Sequence, residues 1–361
     1  MSQPNTTHNQ PSRRLPAEWE PQQAIIITWP NPQGVWSDVY DKVLQWYLAF
    51  TLVLSQETQI IVATPNPDQT RTDLARALGA TQQNLSNLLL PKSIHLFQCP
   101  TNDTWTRDHG PITILERGIP VLLDYTFNAW GMKFPAHLDN QITKHLHGQG
   151  AFGALERRRM APVIEGGAIE TNGLGELLVT SSSIIDDNRN PLRSRADWEH
   201  HWKEHWGIEK VHWLDHGAIS GDDTDSHIDT LARFCNPTTI LYQSCDDPKD
   251  EDFEELSLMK QELQRLRTID GNPFTLIPLP WPQAKYAPDG HRIPVTYANF
   301  LITNTMVWLP TYDDPKDQEA INVLQRAFPT RKVQPIDCQA LILHHGSLHC
   351  STMNIPSPVP S

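Results

Sequence analysis

The stretch 166-GGAIETNGLGELLVT-180 carries two apolar runs parted by Asn172-Gly173, a dipeptide that favours a tight hairpin turn. It reads as two short strands. ADWEHHWKEHW, Ala196 to Trp206, then reads as a helix, and KVHWLD, from Lys210, as a further strand. The pattern of two or three strands plus a helix sets the fold class if it returns elsewhere in the chain.

It returns in both directions. Upstream, AIIITWP ends at Pro30 as a buried strand, and apolar residues at Val39, Val43, Leu44, Trp46, Tyr47, Phe50 and Leu54 follow at helical spacing. QIIVAT is a strand, TRTDLARALGA a helix closed by Gly79, and SIHLFQCP a strand. PITIL and IPVLLDYTF flank a turn at Glu116-Arg117-Gly118, and LDNQITKHLHGQG is a helix with a glycine stop. Downstream, TTILYQS precedes an amphipathic helix with Phe253, Leu256, Met259, Leu263 and Leu266 on one stripe. FTLIPLP, ANFLIT and TMVWLP read as strands, PKDQEAINVLQRAF as a helix, and KVQPID as the last clear strand. The 30 prolines fall mostly at strand ends and in loops, and no Pro/Gly/Ser linker divides the chain. This is the grain of an α/β protein with one domain. Residues 1–14 read as a polar, disordered tail, and residues 15–361 as a single domain.

Composition narrows the function. The chain has 361 residues and a formal net charge of -13. Arg157-Arg158-Arg159 is its longest basic run, which argues against nucleic acid as a partner. An acidic field favours cationic ligands, although many soluble proteins are simply acidic. The five cysteines are odd in number and scattered, with no CxxC, as expected in a reducing compartment. Residues 1–14 lack a signal-peptide core, and runs such as Ala24–Ile27 are too short to span a bilayer. The expectation is a cytoplasmic protein without a membrane partner.

Four polar clusters fall where the pattern puts strand ends or loops: NDTWTRDHGP, Asn102 to Pro111; IEGGAIE, Ile164 to Glu170; SGDDTDSHIDTLARF, Ser220 to Phe234; and LHHGSLHCSTMNIP, Leu343 to Pro356. His227, Asp229, His349 and Cys350 could ligate a metal, but the spacing fits no standard zinc pattern. The histidines at 200, 201 and 205 suit an ordinary half-exposed helix face. A thiol nucleophile is the competing reading. Cys350 would attack, His227 would move protons, and Glu165 would orient and charge-stabilise the imidazole. Two more acids, Asp108 and Asp229, would raise a thiol's pKa. They make sense if the substrate is planar and cationic, since carboxylates pair bidentately with a guanidinium. An inert cysteine is the plain alternative.

The ordered motifs LPAEWEPQQAIIITWP, NDTWTRDHGPITI, FNAWGMK, VIEGGAIETNGLGELLVT, NRNP, GDDTDSHIDTLARF, TYANFLI, PTYDDPKD and HGSLHCSTMN resemble those of the compact bacterial agmatine deiminases. The resemblance runs from Leu15 to Pro356. It implies the pentein fold, a five-bladed α/β propeller of ββαβ-like units with pseudo-fivefold symmetry and a central site. It implies hydrolysis of agmatine to N-carbamoylputrescine and ammonia in putrescine synthesis, with no metal or cofactor. By motif, Cys350 resembles the nucleophile, His227 the acid/base, Glu165 its carboxylate partner, and Asp108 and Asp229 the guanidinium clamps. Asp223 takes the place of an acid near the substrate's amine. Trp105 and Trp130 would wall the channel, or else be ordinary core residues. Longer relatives carry a glycine-rich run before the nucleophile, where this chain has His344-His345 and a single Gly346, expected to permit a turn. A peptidyl-arginine or other guanidine deiminase shares this chemistry. A non-catalytic polyamine- or guanidine-binding protein would keep the acids without needing Cys350 and His227. Homodimer formation is compatible with all of these readings.

Overall fold

A computed structural model describes residues 13–81 and 90–359. Five sheets repeat one pattern. A first strand pairs antiparallel with a second, and the second pairs parallel with a third. The first blade joins Ile112–Glu116, Ile119–Thr126 and Glu156–Val163. The second joins Glu170–Thr171, Glu176–Thr180 and Lys210–Leu214. The third joins Ala232–Asn236, Thr239–Gln243 and Thr275–Leu279. The fourth joins Leu301–Ile302, Met306–Thr311 and Lys332–Asp337.

The fifth blade is made from both ends of the chain. Thr352–Pro356 pairs antiparallel with Gln22–Thr28, which pairs parallel with Gln59–Thr64, and Ile94–Gln98 adds an outer strand. This seam closes the ring. The arrangement is the pentein fold.

Local chemistry explains the repeat. Antiparallel neighbours need only a tight turn, whereas parallel neighbours need a long crossover. In the first blade Arg117 and Gly118, with φ of 50° and 78°, make the tight turn. Each crossover contains a helix: Ile142–Gly148, Arg195–Trp206, Phe253–Arg265, Asp317–Ala327 and Tyr40–Leu54. The second of these starts at a capping box between Ser194 and Asp197 and stops at Gly207, whose φ is 69°. Its Trp198, Trp202 and Trp206 recur every four residues, stack in sequence and are fully buried. Truncating a buried tryptophan costs about 3–5 kcal/mol, so this one stripe pins the helix to its sheet.

Three blade strands were not expected from sequence. Glu156–Val163 includes Pro162 and has a largely solvent-facing pattern, as befits an edge strand. Its arginines are held by Asp124, Glu116 and Glu156. Ala232–Asn236 and Thr352–Pro356 follow polar loops directly, and the loops mask them. The expected tail also needs correction. Arg13 and Arg14 pair with Glu116 and Leu115, because Arg13 meets the Glu116 carboxylate and Arg14 that of Glu20. Residues 1–12 of that tail lie outside the described residues. Among the described residues, no helix is long and apolar enough to cross a membrane.

Candidate active site

The turn that leads into each first strand carries polar groups, and the five turns meet. Asp108 lies in the helical turn Thr106–His109 ahead of the first blade. Glu165 and Gly167 precede the second, His227 and Asp229 the third, Asn299 the fourth and Cys350 the fifth. Hydrogen bonds link them in a closed circuit. Arg107 N donates to Cys350 O at 3.0 Å, and Gly167 N to Asp108 Oδ1 at 3.0 Å. His227 Nε2 lies 2.9 Å from Glu165 Oε2. Asn299 Nδ2 is 3.2 Å from Asp229 Oδ2 and 3.2 Å from Cys350 Sγ. Fivefold topology thus places one turn from every blade at a common, buried centre.

Gly167 marks the closest approach at the centre. A Cβ there would lie 2.6 Å from His227 Nδ1, 2.8 Å from Asp108 Oδ1 and 3.2 Å from Asp229 Oδ1. These three polar atoms therefore converge on one point that only glycine leaves open. Gly167→Ala is expected to displace all three and lower kcat on the order of 100-fold, checked by steady-state kinetics beside an unchanged circular dichroism spectrum.

Several of these atoms lack partners. His227 Nδ1 and Asp229 Oδ1 are buried with no hydrogen bond, although Asp108 Oδ1 is 3.6 Å from the former. Buried polar atoms are rarely left so; a bound cation's N–H would satisfy Asp229 Oδ1, whereas the protonated His227 Nδ1 needs an acceptor. The charges agree. Burial disfavours a charged His227, yet Asp108, Glu165 and Asp229 outweigh it and hold the imidazole protonated up to about 9. Burial lifts Asp108 to about 6, with the His227 charge opposing and Asp229 and Glu165 adding to the rise. Burial also opposes charge on Asp229, but His349, His227 and Arg233 keep its carboxyl below the usual range. The Cys350 thiol is pushed well above its ordinary value by burial and by the negative charges of Asp229 and Asp108. A cation bound here would reverse that last effect.

A second layer orients the first. Arg189 Nε donates to both oxygens of Glu165 at 3.0 and 2.9 Å, while its Nη1 binds Asp186 and Asp225. Trp130 Nε1 donates to Asp108 Oδ2 at 2.9 Å. Trp130 adopts a φ of 55°, between Ala129 at 53° and Met132 at 67°, a costly backbone that fixes the indole against the carboxylate.

Of the residues expected from sequence, Cys350, His227, Glu165, Asp108 and Asp229 come together, and Trp130 joins them by its indole N–H. Trp105 packs against Trp36 with ring centroids 5.5 Å apart. Asp223 is tied through its backbone carbonyl, which accepts from Lys133 Nζ at 2.7 Å, and burial raises its carboxyl to about 6. One expectation for the loop before Cys350 is corrected. Gly346 does not supply the left-handed turn; His345 does, at φ 66°. Gly346 is needed because the Trp105 ring lies where a side chain would go. Sequence reasoning passed over Asn299, Gly167 and Arg189. Asn299 is a neutral residue inside an apolar run, while the EGG and NRNP motifs held the other two in plain view.

Comparison with known proteins follows this geometry. The family model for Porphyromonas-type peptidyl-arginine deiminase matches residues 14–356. The agmatine deiminase of Pseudomonas aeruginosa (strain LESB58) is 28% identical over 387 residues, covering 99% of this chain and 99% of that protein. A cysteine-to-serine variant of C. jejuni agmatine deiminase, solved with substrate bound, superposes with a TM-score of 0.86 at 33% identity, covering 96% of this chain and 97% of that one. A Porphyromonas gingivalis structure, provisionally assigned as an arginine deiminase, is 43% identical with a TM-score of 0.84, covering 95% and 98%.

Proposed function

The chain belongs to the Porphyromonas-type peptidyl-arginine deiminase family, and from that premise we propose that it hydrolyses agmatine to N-carbamoylputrescine and ammonia. The observation that carries this reading is the convergence of Asp108 Oδ1, Asp229 Oδ1 and His227 Nδ1 over Gly167, beside the Cys350 thiol. Two carboxylates beside a proton-exchanging histidine suit a planar guanidinium with N–H groups along its edges.

In this reading Asp108 and Asp229 hold the guanidinium edges. The bound cation offsets the carboxylate charges that keep Cys350 protonated, so the thiol gives its proton to water as substrate arrives, His227 being already protonated. The thiolate attacks the guanidine carbon and forms a C–S bond. Protonated His227 gives its proton to one terminal nitrogen, the C–N bond breaks, and ammonia leaves an S-alkylthiouronium. Neutral His227 then takes a proton from water, whose oxygen attacks the same carbon, and the ureido product departs as the C–S bond breaks. Glu165 and Arg189 keep the imidazole aligned throughout. Asp223 is assigned to the distal amine, and Trp105 to the channel wall. No metal or cofactor enters the scheme. The protein is read as one catalytic unit, a cytoplasmic and dimeric enzyme of putrescine synthesis, with a small cation rather than nucleic acid or membrane as its partner.

Two ionisations frame the pH dependence. Asp108 must be charged, so kcat/KM is expected to fall as pH drops through about 6. His227 must be protonated to release ammonia, so it is expected to fall again as pH rises through about 9. A flat profile across that range would contradict the assigned roles. The substrate is tested by ammonia release from agmatine, free arginine and a peptidyl-arginine. Agmatine should give the highest kcat/KM; a clear preference for either arginine substrate would replace this reading with an arginine deiminase.

A further inference from the structure

His349 precedes the nucleophile, yet its imidazole serves another residue. Nδ1 lies 2.7 Å from Asp229 Oδ2, and Nε2 lies 2.7 Å from Glu18 Oε2. Ionised carboxylates only accept hydrogen bonds, and a neutral imidazole has a single N–H. Clasped between two carboxylates, His349 can satisfy both only with a proton on each nitrogen. Both carboxylates have reason to stay ionised. Glu18 Oε2 also faces Arg233 Nη2 at 3.1 Å and Arg107 Nη2 at 3.6 Å, and Glu18 Oε1 accepts from Ile302 N at 2.7 Å. Asp229 Oδ2 accepts a further bond from Asn299.

Resting on the function proposed above, we infer that Glu18 is a positioning residue for the reaction: through the His349 imidazolium it holds Asp229 ionised, with Oδ1 turned free toward the substrate guanidinium. The relay runs Glu18, His349, Asp229 and then substrate, so Glu18 acts without touching the reacting atoms. The charges around His349 show why Glu18 matters. Asp229, Glu18 and Glu170 are its acidic neighbours, and Arg107 and Arg233 its basic ones. With the Glu18 charge removed, two guanidiniums would face an imidazolium with one fewer anion between them. The proton on Nε2 would lose its charged acceptor, and the His349 ring could shed it, leaving Asp229 without its charged donor. Asp229 lies below the ordinary carboxylate range against the pull of burial, in keeping with that donor's presence.

The relay is read directly from the ring-nitrogen NMR of 15N-histidine-labelled, substrate-free protein at neutral pH, with His349 assigned by signal loss in His349→Gln. Two protonated nitrogens are expected in the wild type; a single N–H would overturn the inference, whether or not any variant folds. Glu18→Gln is expected to collapse that signature and lower kcat/KM on the order of 10- to 100-fold, mainly through KM, as outer partners of metal-bound histidines do. Glu18→Asp, which keeps the charge, is expected to recover most of the loss. A folded Glu18→Gln protein with wild-type kcat/KM would also sink the proposal. Because the spectrum needs no substrate, failure of ammonia release in the wild type would count against the activity and leave the relay separately decided.

Discussion

Cys350→Ser is expected to fold as the wild type does and to lose at least about 10⁴-fold in kcat, in line with removal of a covalent nucleophile elsewhere. The serine hydroxyl fits the same space and can still accept from Asn299 Nδ2, now 3.2 Å from sulfur. What it cannot do is ionise. The site already pushes a thiol well above its ordinary value, and a bound guanidinium compensates enough for sulfur but not for an alcohol. Ammonia release and mass spectrometry check this together: the wild type should show a trapped thiouronium mass on rapid acid quench, and the variant none. Retention of a tenth of wild-type turnover would remove Cys350 from the role of nucleophile.

The second large effect belongs to His227→Gln. A glutamine amide can keep a hydrogen bond to Glu165 but carries neither charge nor an exchangeable acid proton. Loss of both general-acid and general-base steps is expected to cost on the order of 10³- to 10⁴-fold in kcat. A finer consequence concerns binding. The His227 charge is what holds Asp108 down to about 6 against burial and two neighbouring carboxylates. Without it, Asp108 should stay protonated to higher pH, and agmatine binding measured calorimetrically should need more alkaline conditions than in Cys350→Ser. Equal pH dependence of binding in the two variants would show that His227 and Asp108 are not coupled.

Much of this molecule was legible before its structure. Alternating apolar runs and tight-turn dipeptides located most second and third strands, because those are buried on at least one side and keep a strong period. Among the first strands, Glu170–Thr171 and Leu301–Ile302 were read inside longer apolar runs, whereas Ala232–Asn236 and Thr352–Pro356 were missed. Glu170–Thr171 and Leu301–Ile302 are only two residues long, and Ala232–Asn236 follows an acidic loop without a break. The proposed site was legible where the proposed chemistry needs charge or sulfur, which is why Cys350, His227, Glu165, Asp108 and Asp229 stood out. Asn299 did not, because an amide inside TYANF has nothing to distinguish it from a buried structural residue. Glu18 did not, because its partners lie in remote blades. The side chain that fixes a catalytic acid can sit anywhere the fold brings a surface near it, and local spacing carries no record of that.

The seam of the ring has a consequence for how the protein comes to be made. Thr352 pairs with Ile27 across nearly the whole chain, and Cys350 sits at the edge of that pairing. Four blades are contiguous in sequence and can form as each leaves the ribosome, whereas the fifth must wait for a contact of the longest range the chain contains. A nascent chain stopped before residue 350 would hold the carboxylates and the histidine without the thiol. On the proposed mechanism, activity would then begin only with that last contact, and partly synthesised molecules would lack the attacking thiol.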